Sequence, residues 1–170
     1  MLLTNEEKEK GLTMREFTKV SYKGDEMLIK WLTAIDEEEI NYESELKTKK
    51  APHGALIKAL KDLAQDVPVF CEWPDDLYKQ RIKVNSVSIT HFIEGGFSAA
   101  IQAQVGLNCG QTIPINTPRL KTEGEPHEMI TEECIHRFRK LMKEADVFLK
   151  NAASKQTELF PADRKAKTAA

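Results

Sequence analysis

Between Gly96 and Asn108 the chain holds one parity apolar: Phe97, Ala99, Ile101, Ala103, Val105 and Leu107 alternate with a second set that includes Ser98, Gln102 and Gln104. Successive side chains of a strand point to opposite faces, so this stretch must lie in a sheet with one greasy and one wet side. Phe97, Ile101 and Val105 are expected inward, Gln102 and Gln104 outward. An antiparallel sheet of this kind needs a cover on its apolar face and leaves the other free. The free face is where a ligand or a second subunit would sit.

The rest of the chain supplies partners and cover. Phe17 to Tyr22 alternates, and Lys23-Gly24-Asp25 makes a turn into the apolar run Met27–Ile35. A third strand reaches Lys47, with Ile40, Tyr42 and Leu46 on one side. Six carboxylates between Asp36 and Glu45 suit a solvated edge that discourages aggregation. Pro52 opens a helix in which Leu56, Leu60, Leu63 and Val67 share a face, and Pro68 is expected to close it. The segment Val69–Pro74 is an aromatic connection over the end of the sheet.

In the strand Arg81–Phe92, Ile82 and Val84 are expected on one face and Val87 and Ile89 on the other. That change predicts a β-bulge at Asn85-Ser86. A last strand carries Ile113 and Ile115, confined to an edge by Pro114 and Pro118. A polar loop, 121–127, leads to a second helix capped by Thr131. Its buried stripe is Ile135, Phe138, Leu141, Met142, Ala145, Phe148 and Leu149. The expected fold is α+β: an antiparallel sheet of five to six strands in β-β-β-α-β-β-β-α order, with two helices on one face. No internal repeat is evident by motif, although each half holds three strands and one helix.

Composition narrows the function classes. At 170 residues the chain fits one domain with tails. The boundaries expected are a polar lead-in over 1–13, a domain over 14–152 and a flexible tail over 153–170, with Met14 a candidate internal start. A net charge of −2 gives no global basic field for nonspecific nucleic-acid binding. The three cysteines, Cys71, Cys109 and Cys134, are odd in number and form no Cys-x-x-Cys. With an opening too acidic for a secretion signal and no apolar run of membrane-spanning length, they point to a reducing cytoplasm.

No residue pattern specifies a chemistry. His53, His91, His127 and His136 are scattered, and His-Glu-x-x-His, Walker and dinucleotide signatures are absent. Cys134 stands near a helix start, where a dipole can lower a thiol pKa, but a packed cysteine is the commoner outcome. His91 follows the core-side parity and reads first as a half-buried structural histidine. The expectation is a non-enzymatic body with no cofactor and no metal.

Basic residues do gather: Lys79, Arg81 and Lys83 alternate along one strand, Arg119 and Lys121 follow the last strand, and Arg137, Lys140 and Lys143 mark the outer side of the second helix. A solvated face accounts for them. The functional alternative is an anion pocket for a nucleotide or single-stranded DNA, with Trp73 or Tyr78 to stack.

The tail is the one functional motif. Gln156-Thr-Glu-Leu159-Phe160 resembles the Gln-x-x-Leu-Phe peptide by which bacterial replication proteins hold the sliding clamp. Leu159 and Phe160 would fill an apolar pocket while Gln156 sets the register, and a peptide that orders on binding releases quickly. Asn151–Lys155 reads as helix exit and tether, and Pro161 ends any helix. The competing reading is an amphipathic last turn folded back on the body.

With Phe17-Thr-Lys-Val-Ser-Tyr22, Val84-Asn-Ser-Val-Ser-Ile-Thr90, Ile115-Asn-Thr-Pro118 and the acidic-capped last helix, the chain resembles small phage and prophage proteins. The resemblance implies a phage-encoded protein in a bacterial cytoplasm and carries no active site. Two functions follow. One is a DNA-metabolism accessory recruited to the host clamp by its tail. The other is a counter-defence protein, an oligomeric sponge that sequesters a nucleotide immune signal in a basic pocket.

Overall fold

A computed structural model describes the backbone of residues 15–35, 40–74 and 81–159 and their side chains, except those of 34, 35, 40–42 and 153–159. The strands are β1 (Arg15–Lys23), β2 (Glu26–Ile35), β3 (Ile40–Thr48), β4 (Ile82–His91), β5 (Phe97–Gly106), β6 (Thr112–Asn116) and β7 (Leu120–Lys121). The helices are α1 (Gly54–Asp62), a short α2 (Val67–Phe70) reached through a 3₁₀ turn at Leu63–Asp66, and α3 (Glu132–Leu159). The fold is α+β, with one antiparallel sheet in the order β3-β2-β1-β4-β5-β6 and β7 pairing with β5 beyond the end of β6.

That order describes two β-β-β-α units joined along their first strands. Lys19, Val20 and Ser21 of β1 pair with Ser88, Val87 and Ser86 of β4, a register symmetric about Val20 and Val87. Each of these strands also has its bulge at the same place, between Phe17 and Lys19 and between Val84 and Ser86. The segments Phe17-Thr-Lys-Val-Ser-Tyr22 and Val84-Asn-Ser-Val-Ser-Ile89 are therefore equivalent positions of a pseudo-twofold repeat, too short in shared sequence to stand out by motif.

The β4 bulge corrects one expectation. Ile82, Val84, Val87 and Ile89 all pair with inward residues of β5, and all four are buried on the same face. The extra residue, Asn85, absorbs the change of parity. On β5 the alternation holds: Phe97, Ala99, Ile101, Ala103 and Val105 are buried, and Gln102 and Gln104 are exposed. Burial of side chains the size of Phe97, Ile101 and Val105 contributes roughly 1.5–3 kcal/mol each.

The cover is α1 packed against α3. Leu56, Leu60, Leu63 and Val67 are all buried, as the spacing predicts. Pro68 does not close the helical path; it lies in the first turn of α2, whose amide position has no intrahelical partner to lose. From α3, fully buried Phe138 meets Phe97 of β5 edge-on at 5.7 Å and Phe70 of α2 at 6.4 Å. Thr131 caps α3, its Oγ1 accepting from the Cys134 amide at 3.3 Å.

At its far end α3 passes straight through Asn151–Lys155, where the sequence predicts an exit. Alanines sustain a helix and no Gly or Pro stands before Pro161.

The edge of β5 is sealed in an unpredicted way. β6 pairs with Gln102–Gly106 and β7 with Ser98 and Ala99. In the gap between them Thr117 Oγ1 accepts from the Ile101 amide at 2.9 Å, while the Thr117 amide donates to the Ile101 carbonyl at 3.0 Å. The loop expected from residue 121 thus begins with a two-residue strand.

Candidate ligand-binding face

The sheet face turned away from the helices has a polar floor. Across it run Ser21, Ser86, Gln102 and Asn116, aligned on β1, β4, β5 and β6 by their pairing. Ser21 and Ser86 are buried, small enough to lie beneath longer neighbours, whereas Lys83, Thr90, Gln102 and Gln104 are exposed. No described element covers these exposed side chains.

Arg119 lies over one end of this floor. Its Nη2 donates to Ser88 Oγ at 2.7 Å, and its Nη1 to Thr90 Oγ1 and Ser98 Oγ, both at 3.2 Å. It also reaches the Ser98 carbonyl at 3.3 Å. Ser98 faces outward as expected, yet is only 4% exposed with the guanidinium across it. Arg119 itself remains exposed, and all its partners are neutral oxygens. Lys19 is directly opposite Ser88 on β1 and has the same outward parity.

The other end holds Lys83, opposite Gln104, and Lys23, the last residue of β1. They border a cleft of about 360 Å³ with Asn85, Gln102, Gln104 and Asn116. Among the described residues, neither Lys19, Lys23, Lys83 nor Arg119 forms an ion pair with a carboxylate. The acids of this face are engaged elsewhere or apart: Glu26, opposite Lys23, is held by Lys47 at 3.2 Å, and Glu43 and Glu45 are near Lys30. Glu16 of β1 shares the face without pairing to any of the four.

Of the basic residues singled out by sequence, Lys83 and Arg119 come to this face at opposite ends. Arg81 precedes β4 and donates to Asn108 Oδ1. Lys121 is neutralised by Glu128 at 3.3 Å. Arg137 is not on the outer side of α3; it turns inward to make a bidentate pair with the 2%-exposed Asp66, at 2.6 and 2.7 Å. Lys140 and Lys143 are exposed. Lys79 and Tyr78 lie outside the described residues, and Trp73 packs against the core. Sequence reasoning missed Lys19 and Lys23, and the hydroxyls of Ser88 and Thr90. Their spacing is legible on each strand, but only the β1–β4 pairing unites them.

The candidate reactive groups have structural tasks. Cys134 is buried, and its thiol pKa is pushed far up by burial and by the Asp66 carboxylate beside it, so it stays protonated. Burial at the start of α3 outweighs any helix-dipole lowering. His53 Nε2 bonds Glu144 at 2.7 Å, tying the start of α1 to α3, with its ring stacked 6.3 Å from Phe148. His91 lies on the core side, its Nε2 on the Phe17 carbonyl at 2.9 Å. His127 and His136 are exposed. Among the described residues no three histidines, cysteines or carboxylates gather as metal ligands, and no helix is long and apolar enough to cross a membrane.

Of the tail motif, the backbone of Gln156–Leu159 is the last described turn of α3. Its side chains and the whole of Phe160 lie outside the described residues. Compared with family models, curated proteins and solved structures, the chain has no match.

Proposed function

We propose that this protein is a non-catalytic accessory of nucleic-acid metabolism, with a body that holds phosphates on its open sheet face and a tail that holds a bacterial sliding clamp. What carries the reading is the placement of Lys19, Lys23, Lys83 and Arg119 on one uncovered polar face with no carboxylate partner among the described residues. Fixed neutral hydroxyls around an unpaired guanidinium suit an anion, because they both orient the donor and add donors of their own. A phage setting follows the sequence resemblance, and the structural tasks of His53 and His91 with the protonated Cys134 favour binding over turnover.

The tail joins this reading through Gln156, Leu159 and Phe160, beyond Leu149, the last buried residue described on α3. Clamp binding would require the last turn of α3 to unwind, and helix ends fray readily. A peptide spanning Ser154–Asp163 should bind a bacterial clamp. The double change Leu159→Ala, Phe160→Ala should abolish binding, since anchors of this kind are worth about 2 kcal/mol or more each. Equal binding by both peptides, or by neither, removes the clamp from the proposal.

One observation favours a second reading, the nucleotide sponge. The cleft at the Lys83 end, about 360 Å³, falls within the usual small-ligand range. That reading requires self-association and a nucleotide that survives purification with the protein. Size-exclusion chromatography followed by analysis of the bound small molecules tests both.

A further inference from the structure

The open face has two cationic ends rather than one pocket. Arg119 and Lys19 gather at Ser88 and Ser98; Lys83 and Lys23 gather at Gln104 and Asn85. Ser98 and Gln104 are six residues apart on β5, about 20 Å at a rise of roughly 3.3 Å per residue. The floor between them is neutral and polar, with Ser21, Ser86 and Gln102.

We infer that the two ends are separate phosphate subsites of one track, and that the ligand is a short single strand of nucleic acid lying along β5. The inference rests on the open-face reading above and narrows its ligand. A mononucleotide at either end would leave the other pair of cations unused. A strand carries a phosphate every ~3.4 Å when stacked, so several nucleotides cover the separation, within the site sizes of about four nucleotides upward found for single-strand binders.

The chemistry also sets the selectivity. The aromatic side chains described on β1, β2 and β5, namely Phe17, Tyr22, Trp31 and Phe97, have the core-facing parity, so among the described residues the track offers charge and hydrogen bonds and no stacking platform. Binding should be indifferent to base identity and steeply dependent on salt. The fixed hydroxyls Ser88, Thr90 and Ser98 hold Arg119 in place, whereas Lys83, without a hydrogen-bond or ion-pair partner among the described residues, is an adjustable contact.

The test is fluorescence anisotropy of the full chain with labelled deoxythymidine strands of one, two, four and eight nucleotides across a salt series. Affinity should climb with length until the track is filled. Arg119→Gln and Lys83→Gln should each flatten the slope of log K against log salt by about 0.7. Lys83 has no partner to lose among the described residues, so its variant reads binding even if Arg119→Gln perturbs the sheet, and Arg119→Lys should restore most of the slope. A mononucleotide that binds as well as the octamer overturns the track and leaves open-face anion binding standing, as does an octamer whose slope responds to only one end. A duplex that outcompetes the strand overturns the single-strand ligand. Octamer binding untouched by either substitution, or no binding of any length at low salt, overturns the track and the open-face reading together.

Discussion

The covered and open faces of the sheet come from the same strands by the same alternation, yet they are built differently. On the covered face each side chain is locked by neighbours from two layers, as Phe138 is by Phe97 and Phe70. On the open face, long side chains stand over small hydroxyls, and Lys19, Lys23, Lys83 and Arg119 share the surface without an ion pair to a carboxylate among the described residues. A core tolerates no loss of volume because packing is dense. A binding face tolerates unpaired charge because water screens it until a ligand arrives. Changes on one face should therefore register as stability and on the other as affinity.

The largest effect tests the covered face. Phe138→Ala should cost about 3–5 kcal/mol in urea unfolding, because it empties the space between α3, β5 and α2. A cost below about 1 kcal/mol would mean the helices do not clamp the sheet as described. Next comes the ion pair beneath α3. Arg137→Ala strands the buried Asp66 carboxylate and should cost about 3 kcal/mol. Changing both residues to apolar ones should recover much of that loss, whereas additive losses would remove the pairing as its cause.

Cys134 gives a smaller effect with a definite sign. Its folded thiol pKa lies far above the unfolded value, so the unfolded chain loses this proton first. The stability that the buried thiol contributes is complete below the unfolded pKa, near 8.5, and falls above it by at most about 1.4 kcal/mol per pH unit until the folded pKa is reached. Cys134→Val should remove that part of the alkaline decline; identical decline in both proteins would mean the thiol ionises freely when folded. The smallest expected effect sharpens the contrast between faces. Gln104→Ala on the open side should move stability by no more than about 0.5 kcal/mol. A loss near that of Phe138→Ala would show that something packs on this face in solution.

Much of the covered face was legible before any coordinates. The β5 register, the α1 and α3 stripes, the Thr131 cap, the bulge near Asn85 and the edge position of β6 follow from periods of 2 and 3.6, from capping chemistry and from proline geometry. Misreadings came where a local signal met a longer-range one. Pro68 looked like a stop and proved compatible with a new first turn, and Asn151–Lys155 looked like an exit although nothing there prevents a helix. The face parity of Ile82 and Val84 against Val87 and Ile89 was settled by pairing with β5.

The candidate site was legible only in fragments. The sequence by itself determined that one strand face would be polar, that Lys83 and Arg119 were candidates, and that a Gln-x-x-Leu-Phe pattern stands at Gln156–Phe160. Side-chain period is a local property, written in neighbouring residues, and it survives without knowledge of the fold. Only the tertiary structure decided that β1 and β4 lie side by side, that Lys19 and Lys23 join the candidates, that Lys121 is spent on Glu128, and that Arg137 turns inward to Asp66. Those outcomes depend on which distant strands and helices meet, and strand pairing across some 65 residues leaves no periodic trace in the chain.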